Sequence, residues 1–406
     1  MFRILCFLVL SVIGSLASAQ KNRIDLVDDA APELARFGNY DVGVMTFEVV
    51  DQDRIDILNT QRGSEAVFYD RKLTLEIWYP ADLQGADPGT QYRVVTRNPT
   101  IIATLSGRAV RDAEPLRAEG PYPLIIISHG YPGNRFLMSH TGENLASKGY
   151  TVVSIDHAES TYDDQQAFGS TLYHRPLDQR YVLSSIASIS KKPDGVFSNI
   201  IDADNTGIIG YSMGGYGLVN NLGGGFAEDS IDGFMAPPNQ LLREHASSNP
   251  EFRQRLDDRI KAGFAIAPWG MNTGFWKAED LAGVDVPTFY LVGDQDIVAG
   301  YDNGPRAIFE GAVNSDRYLL TFHGAGHNAG APIPVPEELN NEDNEQAAGH
   351  YRDENWDNVL MNNIMDHYVT AWFDLHLKGI DRSSIIGSVP PGYDGQLSLE
   401  YLPIGQ

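Results

Sequence analysis

The chain has 406 residues, 42% of them hydrophobic and 10% aromatic, which is enough to bury a large core. Its formal net charge of −24 repels nucleic acid and anionic lipid headgroups, so neither is an expected partner. The single cysteine, Cys6, excludes any disulfide, and its place near the N-terminus excludes a thiolate nucleophile or a thiolate metal site in a processed chain.

The N-terminus has the three parts of a secretory signal. Arg3 supplies the positive end, Ile4 to Ile13 the apolar run, and Ala17-Ser18-Ala19 the small-residue cleavage site. Residues 1–19 are therefore expected to be cleaved, taking Cys6 with them. The expected destination is the periplasm or the medium. The apolar run is too short for a comfortable span, and no later stretch approaches one, so no stable membrane insertion is expected. The remaining residues, 20–406, are read as one α/β catalytic domain.

From Tyr40 to about Ile102 the chain reads as β-rich. Val42 to Val49 and Leu73 to Tyr79 alternate with period two. Ser106 to Glu119 is polar and loop-like. Strands and helices then alternate. Tyr122–Ser128 is an apolar strand, Met138–Lys148 a helix and Tyr150–Ile155 another strand. Asp202 and Asp204 read as turn residues before the strand Thr206–Ile209. Further strands follow at Gly263–Ala267, Thr288–Val292 and Tyr318–Phe322, and a last helix at about Asn358 to Lys378. Short β-branched runs between helices predict a mostly parallel sheet covered on both faces. Residues 223–262 break the alternation. Helical stretches are expected there around Leu241–Ala246 and Glu251–Lys261, forming a cap over the site, with a decorative surface pair as the alternative. Residues 383–406 read as a Pro/Gly-rich tail.

The chemistry is carried by Gly210-Tyr211-Ser212-Met213-Gly214-Gly215, placed between an apolar strand and a helical run. Glycines around a serine at such a turn form a nucleophile elbow, with Oγ exposed above the sheet. A serine hydroxyl needs a base, a group to orient the base, and donors for the oxyanion. Asp296, in Gly293-Asp294-Gln295-Asp296 at a strand end, is the expected acid, with Asp294 as the alternative. His327, in the glycine-flanked loop His323–Asn328, is the expected base, with His323 as its rival. The oxyanion donors are expected to be the backbone N–H groups of Met213 and of Tyr131; Pro132 has no N–H to offer. Trp269 and the Tyr131 ring are candidates for the substrate pocket. The run Glu337–Glu345 lacks any recognised calcium spacing and reads as a solvated acidic loop near the cleft rim. No cofactor and no metal is expected.

These blocks resemble a known group. His129-Gly130-Tyr131, Leu145–Tyr150, Ile155-Asp156-His157, Gly210–Gly215, Ala267-Pro268-Trp269, Val286-Pro287-Thr288, Gly293–Ala299 and Gly324–His327 look like those of platelet-activating-factor acetylhydrolases, cutinase-like polyester hydrolases and dienelactone-hydrolase-like proteins. The resemblance implies an α/β-hydrolase fold and a serine esterase acting on small or polymeric carboxylic esters. A lipid acetylhydrolase or lipase, a polyesterase, an amidase or peptidase with the same triad, and an inactive binding protein on this scaffold are the competing readings. The chain departs from the group in places. It has Ser212 where dienelactone hydrolases use cysteine. It has no carboxylate after Ala267-Pro268-Trp269, where the acetylhydrolases place their acid, so the acid is expected one strand later. The polyester hydrolases have no insertion like 223–262. The natural ester and the oligomeric state are not legible.

Overall fold

The computed structural model describes residues 21–406 apart from Phe234, so the expected signal segment and Cys6 lie outside the described residues. The strands in chain order are β1 (Val42–Ile55), β2 (Phe68–Asp82), β3 (Thr90–Val95), β4 (Ile102–Gly107), β5 (Val110–Arg111), β6 (Glu114–Pro115), β7 (Tyr122–Ser128), β8 (Thr151–Asp156), β9 (Ile201–Tyr211), β10 (Ile260–Ile266), β11 (Thr288–Gly293), β12 (Arg317–Phe322) and β13 (Leu397–Leu402). The helices are α1 (Ser139–Ala146), α2 (Phe168–Ser190), α3 (Met213–Asn221), α4 (Ala278–Leu281), α5 (Pro305–Gly311), α6 (Glu345–Ala348), α7 (Asn358–Lys378) and α8 (Ser383–Ile386).

The apolar runs read as strands form the parallel centre of one sheet, in the order β8-β7-β9-β10-β11-β12. The antiparallel pair β1-β2 extends it beyond β8, and β13 closes the other edge against β12. β3 and β4 stand apart as a hairpin. The chain leaves β7 toward β8 and returns on its other side at β9. This is a topological switch point, and a crevice opens there at the carboxyl ends of β7 and β9.

The two faces of the sheet follow from its period of two. In β10, Gly263 lies under Leu218 and Leu222 at the α3 end, where a side chain would collide with Leu222. The next residue, Phe264, faces α7. It stacks on Phe289 at 4.9 Å, which stacks on Tyr318 at 6.0 Å, which stacks on Tyr401 at 4.6 Å. These four are register partners across β10, β11, β12 and β13. Tyr368 and Trp372 of α7 pack on this ladder. Aromatic cross-strand pairs of this kind fix register as well as burying area.

Several expectations are corrected. Asp202 and Asp204 do not sit in a turn. They lie in β9, where pairing jumps from Pro123–Asp202 to Leu124–Thr206 and leaves a bulge between. The tail 383–406 supplies α8 and the edge strand β13. The long α2 escaped the reading, because Pro176 lies inside it and its buried surface mixes Leu172 and Tyr173 with His174, Arg175, Asp178 and Gln179. In 223–262, the two helices reduce to 3₁₀ turns at Pro238–His245 and Arg253–Arg255. Asn239 and Gln240 adopt positive φ there, and Lys261 already belongs to β10. Among the described residues, no helix is long and apolar enough to cross a membrane.

Candidate active site

Ser212 sits between the end of β9 and the start of α3 with φ 52° and ψ −111°, a left-handed conformation that costs a non-glycine residue about 1–3 kcal/mol. The surroundings enforce it. A side chain at Gly214 would strike the Ser128 carbonyl, one at Gly210 the Gly214 backbone, and one at Gly215 Pro268. The Ser212 N–H donates to Ile266 O at 2.9 Å, and its carbonyl accepts from Tyr216 and Trp269 N–H groups at 3.0 and 3.2 Å. The turn is thus held by β10 on one side and α3 on the other.

Ser212 Oγ lies 3.0 Å from His327 Nε2, and His327 Nδ1 lies 2.8 Å from Asp296 Oδ2. The other oxygen of Asp296 accepts from the Val298 and Ala299 N–H groups at 2.8 and 2.9 Å. With Nδ1–H donating to that carboxylate, Nε2 is free to accept the serine proton. The rival residues pair with each other instead. His323 Nδ1 is 2.9 Å from Asp294 Oδ2, and the Gly324 N–H donates to Asp294 at 2.7 Å. Burial pushes the Asp294 carboxyl up, but hydrogen bonds from His323, Gly324 and Gln295 outweigh it and hold it below its ordinary value. Gly293 makes the two loops close, since a side chain there would run into Ala325 and Gly326.

Both residues expected to supply the oxyanion donors lie beside the elbow. Met213 is the first residue of α3, where an N–H has no acceptor inside its own helix. Gly130 packs against Ser212, so that a Cβ on it would lie 3.3 Å from the serine Cβ, and this brings the next residue, Tyr131, over the elbow. Ser212, His327 and Tyr131 open together into a cleft of about 710 Å³.

Residues 100–223 match a family model described as PETase: PET hydrolase-like. The chain is 26% identical over 214 residues to cutinase est1 of Thermobifida alba, covering 52% of this chain and 56% of that one. It is 23% identical over 211 residues to the bis(hydroxyethyl) terephthalate hydrolase of Streptomyces coelicolor, covering 52% of each. The chain thus spans about half the length of these curated relatives. A ferulic acid esterase structure from Streptomyces cinnamoneus aligns with 94% of this chain and all of its own, at TM-score 0.59 and 20% identity. The chain has an α/β-hydrolase fold and is similar to the PET hydrolase-like and cutinase group.

The walls of the cleft come from two segments: the acidic run expected near the rim, and a hairpin the sequence did not single out. One is the tip of the β3–β4 hairpin, Arg97 to Pro99; the other is the acidic segment and α6, from Asp343 to His350. Among the described residues, the expected cap 223–262 contributes none to this cleft. It is pinned elsewhere: Phe226 stacks on Tyr216 at 4.8 Å, and His245 Nε2 donates to the Tyr173 carbonyl at 2.9 Å. Because that nitrogen faces a carbonyl oxygen, it carries the proton. Trp269 does not line the cleft either. Its ring packs edge-on against Phe168 at 5.3 Å, and Phe168 packs against Tyr131 at 4.9 Å. Tyr131 lines the cleft as expected.

A second serine–histidine–aspartate series lies behind the loop that carries Tyr131. Ser128 Oγ is 2.8 Å from His157 Nε2, and His157 Nδ1 is 3.0 Å from Asp178 Oδ2. All three are sealed from solvent, at 0%, 1% and 0% exposure, so no substrate reaches this serine. Arg71 grips both oxygens of Asp178 at 2.9 Å. Burial pushes His157 down to about 3, reinforced by the charge of Arg175, so its imidazole is neutral at ordinary pH. The series is a buried strut for the loop that carries Tyr131. Among the described residues no cluster of side chains is arranged to hold a metal ion.

Proposed function

We propose that the protein hydrolyses carboxylic esters through an acyl-serine intermediate. The observation that carries this is the continuous chain Ser212 Oγ–His327–Asp296, at 3.0 and 2.8 Å, opening into a cleft. His327 Nε2 takes the Ser212 proton as Oγ attacks the acyl carbon. The Met213 and Tyr131 N–H groups receive the developing oxyanion. His327 then returns the proton to the leaving alcohol, and a water, deprotonated by the same nitrogen, releases the acid. Asp296 holds the tautomer and stabilises the imidazolium without taking the proton itself. The names of the relatives, cutinases and esterases, support an ester in preference to an amide.

Fluorophosphonate labelling of the purified protein, with peptide mapping, tests the reading. Label is expected on Ser212 and is expected to be absent from Ser212→Ala. Asp296→Asn is expected to lower kcat on a p-nitrophenyl ester by about 10⁴-fold, because the wrong tautomer is then favoured. A folded protein that takes no label, or a Ser212→Ala variant that keeps full turnover, would sink the proposal. We also propose that the protein is exported. Periplasmic or culture-medium recovery of a form beginning at Gln20 supports export; a cytoplasmic form that retains residues 1–19 refutes it.

A further inference from the structure

We propose that the ester carries a carboxylate and that Arg97 receives it. This rests on Ser212 being the nucleophile, and it names the substrate class of the same cleft. Arg97 lines the cleft together with Ser212 and His327. Among the described residues, the only hydrogen bond it donates is from its backbone N–H, to Tyr351 Oη at 3.1 Å. Its guanidinium has no carboxylate partner there, in a chain where 54 acidic residues outnumber 30 basic ones. Arg352, close by in sequence to the opposite wall, is already engaged by Glu345.

The arginine stands on a rigid mount. Asn134 Nδ2 donates to Val95 O at 2.8 Å, Thr96 Oγ1 donates within the hairpin turn to Asn98 O at 2.9 Å, and Asn98 Nδ2 donates across the cleft wall to Asn344 Oδ1 at 2.8 Å. The side chain is thus presented from a fixed base, so that less of its freedom remains to be lost when an anion binds. Burial pushes the half-buried His350 down to about 4, and the nearby charge of Arg97 pushes the same way. One fork of donors suits one carboxylate, held by two parallel hydrogen bonds. A doubly charged phosphate is disfavoured, because Asp343 lines the same cleft and the whole chain carries −24.

The carboxylate can sit on the acyl or on the alcohol side of the ester, and two substrate pairs separate these sources. p-Nitrophenyl hemisuccinate against p-nitrophenyl butyrate reports the acyl side. 4-Carboxyphenyl butyrate against phenyl butyrate reports the alcohol side. In one pair, wild-type kcat/KM is expected to favour the carboxylate by about tenfold or more, the scale of a charge-assisted hydrogen bond. That ratio is expected to collapse toward one in Arg97→Gln, to survive in part in Arg97→Lys, and to fall with added salt in the wild type. No preference in either pair, or a preference that survives Arg97→Gln, overturns the proposal. The salt series on the wild type and Arg97→Lys decide the matter if Arg97→Gln does not fold. If no ester is turned over, the reading of Ser212 has failed, and calorimetry of monomethyl terephthalate with Ser212→Ala then tests Arg97 alone. Binding abolished by adding Arg97→Gln supports the anion site, and no binding, or binding unchanged by that substitution, refutes it.

Discussion

The guanidinium of Arg175 is 1% exposed and, among the described residues, has no carboxylate in ion-pair contact. It spends its donors on the His129 carbonyl, on Gly130 O at 3.4 Å and on Ser160 Oγ at 2.5 Å. His129 Nδ1 meets the same Gly130 oxygen at 2.6 Å, while its Nε2 accepts from the His157 N–H at 3.3 Å, so the proton is on Nδ1. Gly130 O and the Tyr131 N–H belong to one planar peptide, and fixing the oxygen aims the N–H in the opposite direction. Arg175 and His129 therefore orient one of the two proposed oxyanion donors without touching substrate. Arg175→Lys, with one nitrogen where the fork had two, is expected to lower kcat tenfold or more, within the roughly hundredfold scale of losing such a donor, with KM little changed. Steady-state kinetics on a melting-verified variant checks this; a rise in KM at constant kcat would assign Arg175 to ground-state binding instead. Ser212, Asp296 and His327 were legible because each lies in a loop at a strand end and in the required order. Arg175 was not, because a lone arginine in a helix that Pro176 hides carries no pattern of its own.

At the scale of elements, the parallel strands and α7 were readable from continuous apolar runs and from the spacing Leu360, Ile364, Tyr368, Trp372 and Leu375. The placement of the expected cap has a physical cause. Length alone suggested a lid, whereas one buried aromatic of the segment, Phe226, turns inward against Tyr216, Phe275 and Trp276. Tyr216 lies on the first turn of α3, and its N–H is bonded to the Ser212 carbonyl. The insertion thus buttresses the elbow helix from the side away from the cleft. Phe226→Ala is expected to cost about 3–5 kcal/mol of stability while leaving the ranking of ester substrates as it was. Chemical denaturation and a short-to-long acyl series measure the two effects separately. An altered acyl ranking without loss of stability would restore the insertion to the role of a specificity cap.

For the molecule as a whole, acid has two opposing effects. Protonating surface carboxylates relieves the repulsion implied by −24, and the sequence pI is about 4.6. Buried histidines act the other way, and four of them carry the effect most strongly. Burial pushes His157 and His245 down to about 3, and it holds His129 and His174 well below their ordinary value; neighbouring arginines and histidines add to the effect. Unfolded, each takes a proton near pH 6.5, so between that pH and about 3 the unfolded chain binds more protons than the folded one. Stability then rises with pH across that window and is lost as pH falls below about 6.5, at about 1 kcal/mol per pH unit for each histidine fully engaged. Four together remove several kcal/mol by pH 5, a large share of a typical total of about 5–15 kcal/mol. The carboxylate repulsion is long-ranged and screened by salt, whereas the cost of protonating a buried imidazole is local and is screened much less. Melting in 0.5 M salt is therefore expected to drop by about 10 °C between pH 7 and pH 5, taking a few degrees per kcal/mol for a chain of this size. A melting temperature that stays level or rises over that interval would mean that these histidines are hydrated, and that the strut behind the oxyanion loop is looser than its geometry implies.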